Sequence, residues 1–153
     1  MTNSASRQTQ IELLAGEGNI EELQKLFESG YNQLEIDTAL ENAIAYSQIK
    51  TAEYLVSLGA DLSNHNYQGA YYAVHNNELN GLKFAISKGV DINVNKGMLL
   101  NECIMTAINT KSVEMIKWLL DNGANPKLLS SQSLRLVEDY GTDELKNLIE
   151  NAT

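Results

Sequence analysis

The chain has 153 residues, 43% of them hydrophobic, which is the length and composition of one folded domain rather than of a disordered chain. Its net charge is −9 and its pI is near 4.6, so its field repels nucleic acid and anionic membrane surfaces. A single cysteine excludes an internal disulfide and a zinc cluster built from cysteines.

The N-terminal segment, MTNSASRQTQ, is polar and has no apolar core after its basic residue, unlike a secretory signal. Residues 1–9 are therefore expected to be a flexible tail, followed by a single domain over residues 10–151. No apolar run is long enough to span a membrane, and the expected location is the cytoplasm.

Ten short helices are predicted after the tail, and they follow one another in pairs. They span residues 11–15, 20–29, 38–46, 51–58, 68–76, 79–88, 102–110, 112–122, 131–139 and 143–151. The longest link between them covers residues 90–101. Because none of these helices is long enough to be stable alone, each pair needs neighbours to cover its apolar face, as in a stacked array.

The spacing within the pairs is constant. In three of them a small residue of the first helix precedes the glycine that closes the second helix by sixteen positions, and a leucine holds that place in the first pair. The four combinations are Ala43 with Gly59, Ala73 with Gly89, Ala107 with Gly123 and Leu14 with Gly30. A small residue suits close helix contact, and glycine suits a left-handed helix end.

The closing sequences Gly59-Ala60-Asp61, Gly89-Val90-Asp91 and Gly123-Ala124-Asn125, with the apolar helices before them, resemble the ankyrin repeat. The resemblance covers residues 10–126 well and 130–151 poorly. It implies an all-α fold, an ankyrin-like solenoid of four to five helix-turn-helix repeats. The array is divergent, because the Thr-Pro-Leu-His signature of the family is absent and the first two links are too short for complete β-hairpin fingers. A helical-hairpin array of another family is the alternative.

No residue pattern points to catalysis. His65 and His75 lie ten positions apart with no carboxylate or thiol at ligand spacing, which predicts two surface histidines rather than a metal site. Cys103 is expected to be buried, with no histidine following it in its repeat to activate the thiol. Gly16-Glu17-Gly18 is too short for a phosphate-binding loop. We therefore expect no metal, no cofactor and no enzymatic activity; an enzyme that uses the repeats as a platform is the alternative.

The resemblance implies a partner on the concave side, which the first helices and the link tips form. The residues predicted to bind the partner are Asn42, Tyr46, Tyr72, His75, Asn76, Thr106 and Asn109 from the first helices, and Glu35, Asp37, His65, Tyr67, Met98, Leu99 and Asn101 from the link tips. Tyrosine is enriched at interfaces, although these rings could instead lie flat on their own repeats. Tyr46, Tyr67, Tyr72 and His75 are predicted to form one continuous patch.

The charge is unevenly distributed, with three basic and ten acidic residues in positions 1–61 against eight and ten in positions 62–153. An acidic N-terminal part favours a basic protein partner, or simply keeps the chain in solution. The predicted function is thus a non-enzymatic protein–protein interaction module, monomeric, with no nucleic-acid or membrane partner. An immunity or inhibitor protein that neutralises a toxin or nuclease, and a scaffold or host-directed effector, are more specific alternatives.

Overall fold

The computed structural model of the protein describes the backbone of residues 4–153 and the side chains from residue 7 onwards. Over these residues the fold is all-α, as predicted, with no strand. The helices are α1 (Ser4–Glu17), α2 (Ile20–Phe27), α3 (Gln33–Ala45), α4 (Ile49–Ser57), α5 (Asn64–His75), α6 (Leu79–Ser87), α7 (Val94–Thr110), α8 (Glu114–Asp121), α9 (Ser131–Tyr140) and α10 (Asp143–Ala152). A short 3-10 helix, Pro126–Leu128, lies between α8 and α9.

Helix α1 is longer than the sequence predicts. It begins at Ser4, so positions 4–9 of the predicted tail are helical, and positions 1–3 lie outside the described residues. It also continues through Gly16, which the sequence placed in an interruption, and the left-handed residue that follows is Gly18, with φ of 75°.

Two of the predicted links are helical as well. Helix α3 begins at Gln33 because Asn32 and Glu35 form a capping box, in which each side chain accepts a hydrogen bond from the backbone N–H of the other residue. The span of helix α7 opens with three left-handed residues, 95–97, and its right-handed part follows from Met98, where Leu99 and Leu100 continue the apolar face and are fully buried. The predicted link over residues 90–101 was therefore too long: it was wrong for residues 98–101, which are helical and include the buried Leu99 and Leu100.

The glycines that close the second helices have the expected left-handed conformation. Gly59, Gly89 and Gly123 have φ between 93° and 104°. In each case the N–H of the next residue donates to the carbonyl five positions earlier, from Ala60 to Leu55 at 3.1 Å for example. This is the Schellman arrangement, and it satisfies carbonyls that the helix leaves open.

A second left-handed residue ends each first helix, and the sequence analysis did not foresee it. It lies twelve positions before the closing glycine, and the four examples are Gly18, Ser47, Asn77 and Lys111. Three of the four are not glycine, so the residue type at this position does not indicate a left-handed conformation. Each repeat therefore reverses direction at two fixed points.

The acid or amide in each closing sequence builds the turn that follows. The side-chain oxygens of Asp61, Asp91 and Asn125 each accept a hydrogen bond from the backbone N–H two residues later, at 2.8, 2.8 and 3.0 Å. Such Asx turns replace backbone hydrogen bonds where the chain leaves the helix. The recurring Asp or Asn is thus structural.

The chain forms two compact units. The first contains residues up to Ala73 together with Glu78–Val90, and the second contains Val74–Asn77 together with Asp91–Thr153. In the first unit α3 packs against α1, α4 and α6, with Leu40, Leu55 and Leu82 buried. In the second unit α7 packs against α8, α9 and the 3-10 helix, with Ile104, Ile116 and Leu119 buried. That residues 10–151 form a single domain stays a prediction.

Replacing Gly123 by valine should destabilise the protein more than replacing Gly16 by valine. A β-branched residue at φ of 104° is strained by roughly 1–2 kcal/mol even though the space around Gly123 is open. Gly16 is helical, and a Cβ there meets only the Tyr46 ring, at 3.2 Å, which can move. Thermal melts of the two variants measure the difference, and equal losses would contradict the assigned helix ends.

Candidate functional site

Exposed tyrosines lie on the first helices of the first unit. Tyr46, at the end of α3, is 51% exposed, and Tyr72, on α5, is 40% exposed. The Tyr72 ring packs edge-on against Tyr71, with centroids 5.3 Å apart, so part of it is held by its own repeat. Tyr67 and Asn42 are half-buried. All four residues, which were predicted to contact a partner, are thus accessible on the first unit.

Three consecutive residues at the start of α5 have left-handed backbone conformations. His65, Asn66 and Tyr67 have φ of 48°, 58° and 65°, and Asn95, Lys96 and Gly97 repeat this at the start of α7. Left-handed geometry costs a non-glycine residue roughly 1–2 kcal/mol, so such a turn needs external support. For the first turn, part of that support comes from Glu41.

Glu41 lies on α3 and holds the turn through one carboxylate oxygen. Its Oε1 is 2.7 Å from His65 Nδ1 and accepts a hydrogen bond from Asn64 Nδ2, also at 2.7 Å. The carboxyl is largely buried while His65 is exposed. Burial raises the pKa of Glu41 above its ordinary value, and the hydrogen bond and charge of His65 oppose that change. The acid next to His65 is thus 24 positions away in the sequence.

The raised pKa of Glu41 has a consequence for stability. Because the folded protein holds this proton at higher pH than the unfolded chain does, the contribution of Glu41 to stability falls as pH rises above 4.5 through the folded pKa. Glu41→Gln keeps an oxygen acceptor but removes the titration. The variant should therefore gain stability relative to wild type as pH rises from 4.5 to about 7 in urea unfolding. Glu53→Gln, at an exposed position on α4, is the control, and parallel pH profiles for wild type and Glu41→Gln would contradict the argument.

In the second unit, His75 pairs with Glu102. The Nδ1 atom of His75 lies 2.9 Å from Glu102 Oε1, and the His75 side chain is largely exposed. Asn109 on α7 is exposed, while Asn76 and Met98 are half-buried. These residues are accessible to a partner of the second unit.

Two acids predicted to contact a partner serve the fold instead. The Glu35 carboxylate joins the capping box of α3 and pairs with Arg7 of α1. Asp37 is buried, and its Oδ1 accepts hydrogen bonds from Gln33 Nε2 and from the backbone N–H of Asp61, at 2.8 and 2.7 Å. Both residues lie inside α3 and not at a link tip; Glu35 is paired with a cation, and Asp37 is held by neutral hydrogen-bond donors of the first unit.

Three further predicted contacts are also internal. Leu99 is fully buried in α7. Thr106 is buried too, and its Oγ1 donates to the Val74 carbonyl at 2.9 Å. Asn101 is half-buried and makes four side-chain hydrogen bonds, one within α7 and three that connect α7 to the 3-10 helix and the start of α9. The assignment of these residues to a partner surface is corrected, since the link that was to carry Leu99 and Asn101 is a helix.

A groove between α1 and α3 was missed by the sequence analysis. It encloses about 380 Å³ and is lined by Thr9, Glu12, Leu13, Gly16, Glu17, Asn42 and Tyr46. We call it the Leu13–Tyr46 groove. Leu13 is 56% exposed, which is unusual for a leucine. It lies on the same face of α1 as Thr9 and Glu17, which are four positions before and after it. This face could not be recognised from the predicted helix, because that helix covered only residues 11–15 and left out Thr9 and Glu17.

The remaining chemistry of the described residues is sparse. Cys103 is buried, and burial, with a smaller contribution from Glu102, raises its pKa to about 12, so the thiolate needed for nucleophilic attack is not formed at neutral pH. No group of three or more His, Cys, Asp or Glu side chains in residues 7–153 could hold a metal ion. Within the described part of the chain, no helix combines the length and apolar character that a membrane span requires.

Comparison with known proteins finds a similar protein that is named for the repeat that the closing sequences resemble. The chain is 24% identical over 149 residues to an ankyrin repeat protein of Acanthamoeba polyphaga mimivirus. The alignment covers 86% of this chain but only 30% of that protein, so the chain spans about a third of its relative's length. No protein-family model matches the chain.

Proposed function

We propose that this chain is a divergent ankyrin-like array that binds another protein and catalyses no reaction. The observation that carries the proposal is the repeated unit. In each copy a left-handed residue lies twelve positions before the closing glycine, and the same hydrogen bonds end the second helix at Gly59, Gly89 and Gly123. Stacked repeats of this kind present extended surfaces that suit protein binding. The viral relative, named as an ankyrin repeat protein, supports it.

The proposed contact residues are those that the fold leaves accessible. In the first unit they are Asn42, Tyr46, His65, Tyr67 and Tyr72, and in the second unit they are His75, Asn76, Met98 and Asn109. Tyrosines supply much of the binding energy of interfaces, because they offer a large apolar area with a polar end. The proposed partner is a basic protein, since the chain carries −9, and the proposed setting is a monomer in the cytoplasm.

The test is site-specific photo-cross-linking followed by reconstitution. A benzophenone amino acid placed at Tyr72, on the proposed surface, should capture a protein that the same group at Lys83, on the second helix of that repeat, does not capture. With the purified partner, Tyr72→Ala should weaken binding by at least about tenfold and raise the dissociation rate. Lys83→Ala is the matched control, expected to bind like wild type. If Lys83→Ala abolishes binding while Tyr72→Ala has no effect, the proposed surface is wrong.

A further inference from the structure

The Leu13–Tyr46 groove has two apolar walls that the first unit leaves open. Leu13 projects from α1 and Tyr46 from α3, and more than half of each side chain is exposed. The absence of a side chain at Gly16 allows the Tyr46 ring to approach the backbone of α1, where a Cβ would lie 3.2 Å from Cδ2 of the ring. Leucine and tyrosine flanking one groove form a contiguous apolar surface, which in a folded protein commonly marks an interaction site.

The charged side chains lining this groove are both acidic. Glu12 and Glu17 line it, and no lysine or arginine does. Glu12 accepts a hydrogen bond from Gln8 at 3.1 Å, and Glu17 has no hydrogen-bond or ion-pair partner among the residues that the structure describes. The neighbouring cations are engaged elsewhere, because Arg7 pairs with Glu35 and Lys25 pairs with Glu22.

We propose that the Leu13–Tyr46 groove is the docking site for a basic amphipathic segment of another protein. An apolar side chain of that segment rests between Leu13 and Tyr46, and its lysine or arginine heads reach Glu12 and Glu17. The inference rests on the proposed protein-binding function, and it replaces the acidic contact that Glu35 and Asp37 were predicted to make. The volume of about 380 Å³ suits one or two side chains.

Charge selects this occupant over two others. A second copy of the chain carries −9 and would bring further carboxylates to Glu12 and Glu17, which opposes self-association there. Nucleic acid is repelled for the same reason. A basic segment gains attraction at the rim and burial of apolar surface at the walls.

The test uses a fluorescent peptide of leucine and lysine about four helical turns long, with leucines at helical spacing, titrated with the full chain. A second peptide carries glutamate in place of every lysine, and a third carries serine in place of every leucine. We expect saturable binding of the first peptide alone, weakened by at least about tenfold in Leu13→Ser and in the double variant Glu12→Lys with Glu17→Lys. The three side chains changed here are exposed or half-exposed, and circular dichroism melts check that each variant is folded.

The matched control is the neighbouring groove between α1 and α2, which shares Leu13 and Glu17 with the docking site but is lined on its α2 side by Lys25 and Leu26, so that a change at Leu26 affects this groove alone. Leu26→Ser should leave the peptide affinity within about twofold of wild type. In amide NMR spectra the peptide should shift the signals of Leu13, Glu17 and Tyr46 most. Equal losses in Leu26→Ser and Leu13→Ser, binding of the glutamate peptide, or no saturable binding would each overturn the docking site. Capture of a partner at Tyr72 in that case would leave the proposed function standing without the groove.

Discussion

Replacing Gly81 by alanine is expected to destabilise the first unit by about 3 kcal/mol. Gly81 lies in α6 against the backbone of α3, and a Cβ at this position would be 2.0 Å from the carbonyl oxygen of Ile44. Because that atom belongs to a buried helix backbone, only separation of α3 from α6 can relieve the overlap. The same shift would break the hydrogen bond from the Gly81 N–H to Ser47 Oγ, at 2.8 Å.

The sign of this effect makes it informative. In a helix with free space, glycine to alanine stabilises by about 1 kcal/mol, because alanine restricts the unfolded backbone and favours the helix. A stabilised Gly81→Ala variant would therefore show that α3 and α6 do not approach as described. Gly59→Ala is the control for backbone strain alone: it has φ of 93° and nothing within 4 Å of its Cβ, and it should cost only about 1 kcal/mol. Urea unfolding measures both.

The sequence was sufficient to predict the helices and their ends where local physics decides them. The closing glycines could be recognised because a φ near 100°, as at Gly123, lies beyond the left-handed region of about 50–70° that other residues can adopt, as Ser47 and Lys111 do. The capping box of Asn32 and Glu35 was equally visible, yet a link was predicted there, because the polar residues Gln33 and Glu35 obscured the apolar period that Ile36 and Leu40 continue. A polar first turn is ordinary for a helix, since its N–H groups attract acids and caps.

The candidate site was harder to predict, since it depends on which polar side chains the fold itself uses. Nothing in the sequence separates Asp37, which accepts two internal hydrogen bonds, from Glu17, which accepts none from the described residues. From its position in the sequence, Leu99 was predicted to lie beside Met98 at a link tip. In the structure both residues are in α7, where Leu99 is buried in the core and Met98 is half-exposed. Partners 24 or 29 positions away in the sequence, such as Glu41 for His65 or Asn101 for Ser130, become visible only in the folded chain.

Replacing Asn101 by alanine should destabilise the second unit by about 2–4 kcal/mol, because four hydrogen bonds of about 1 kcal/mol each are lost. Its Nδ2 donates to the carbonyls of Gly97 and Leu128, both at 2.9 Å. Its Oδ1 accepts from the Ser130 N–H at 2.9 Å and from Ser133 Oγ at 2.6 Å. One amide thus ties α7 to the 3-10 helix and to the first turn of α9.

Asn109 provides the matched control on the same helix. It is also an asparagine predicted to contact a partner, but it is exposed and lies about two helical turns after Asn101. Asn109→Ala should change the free energy of unfolding by less than about 0.5 kcal/mol. Ser130→Ala measures the contribution of the α9 cap separately from that of Asn101. It removes the side-chain cap of α9 and should lower the free energy of unfolding by about 1 kcal/mol. If Asn101→Ala unfolds like wild type and instead lowers the affinity for a partner, Asn101 belongs to the binding surface. The connection between α7 and α9 would then depend on apolar packing, such as that of the buried residues Leu129 and Val137.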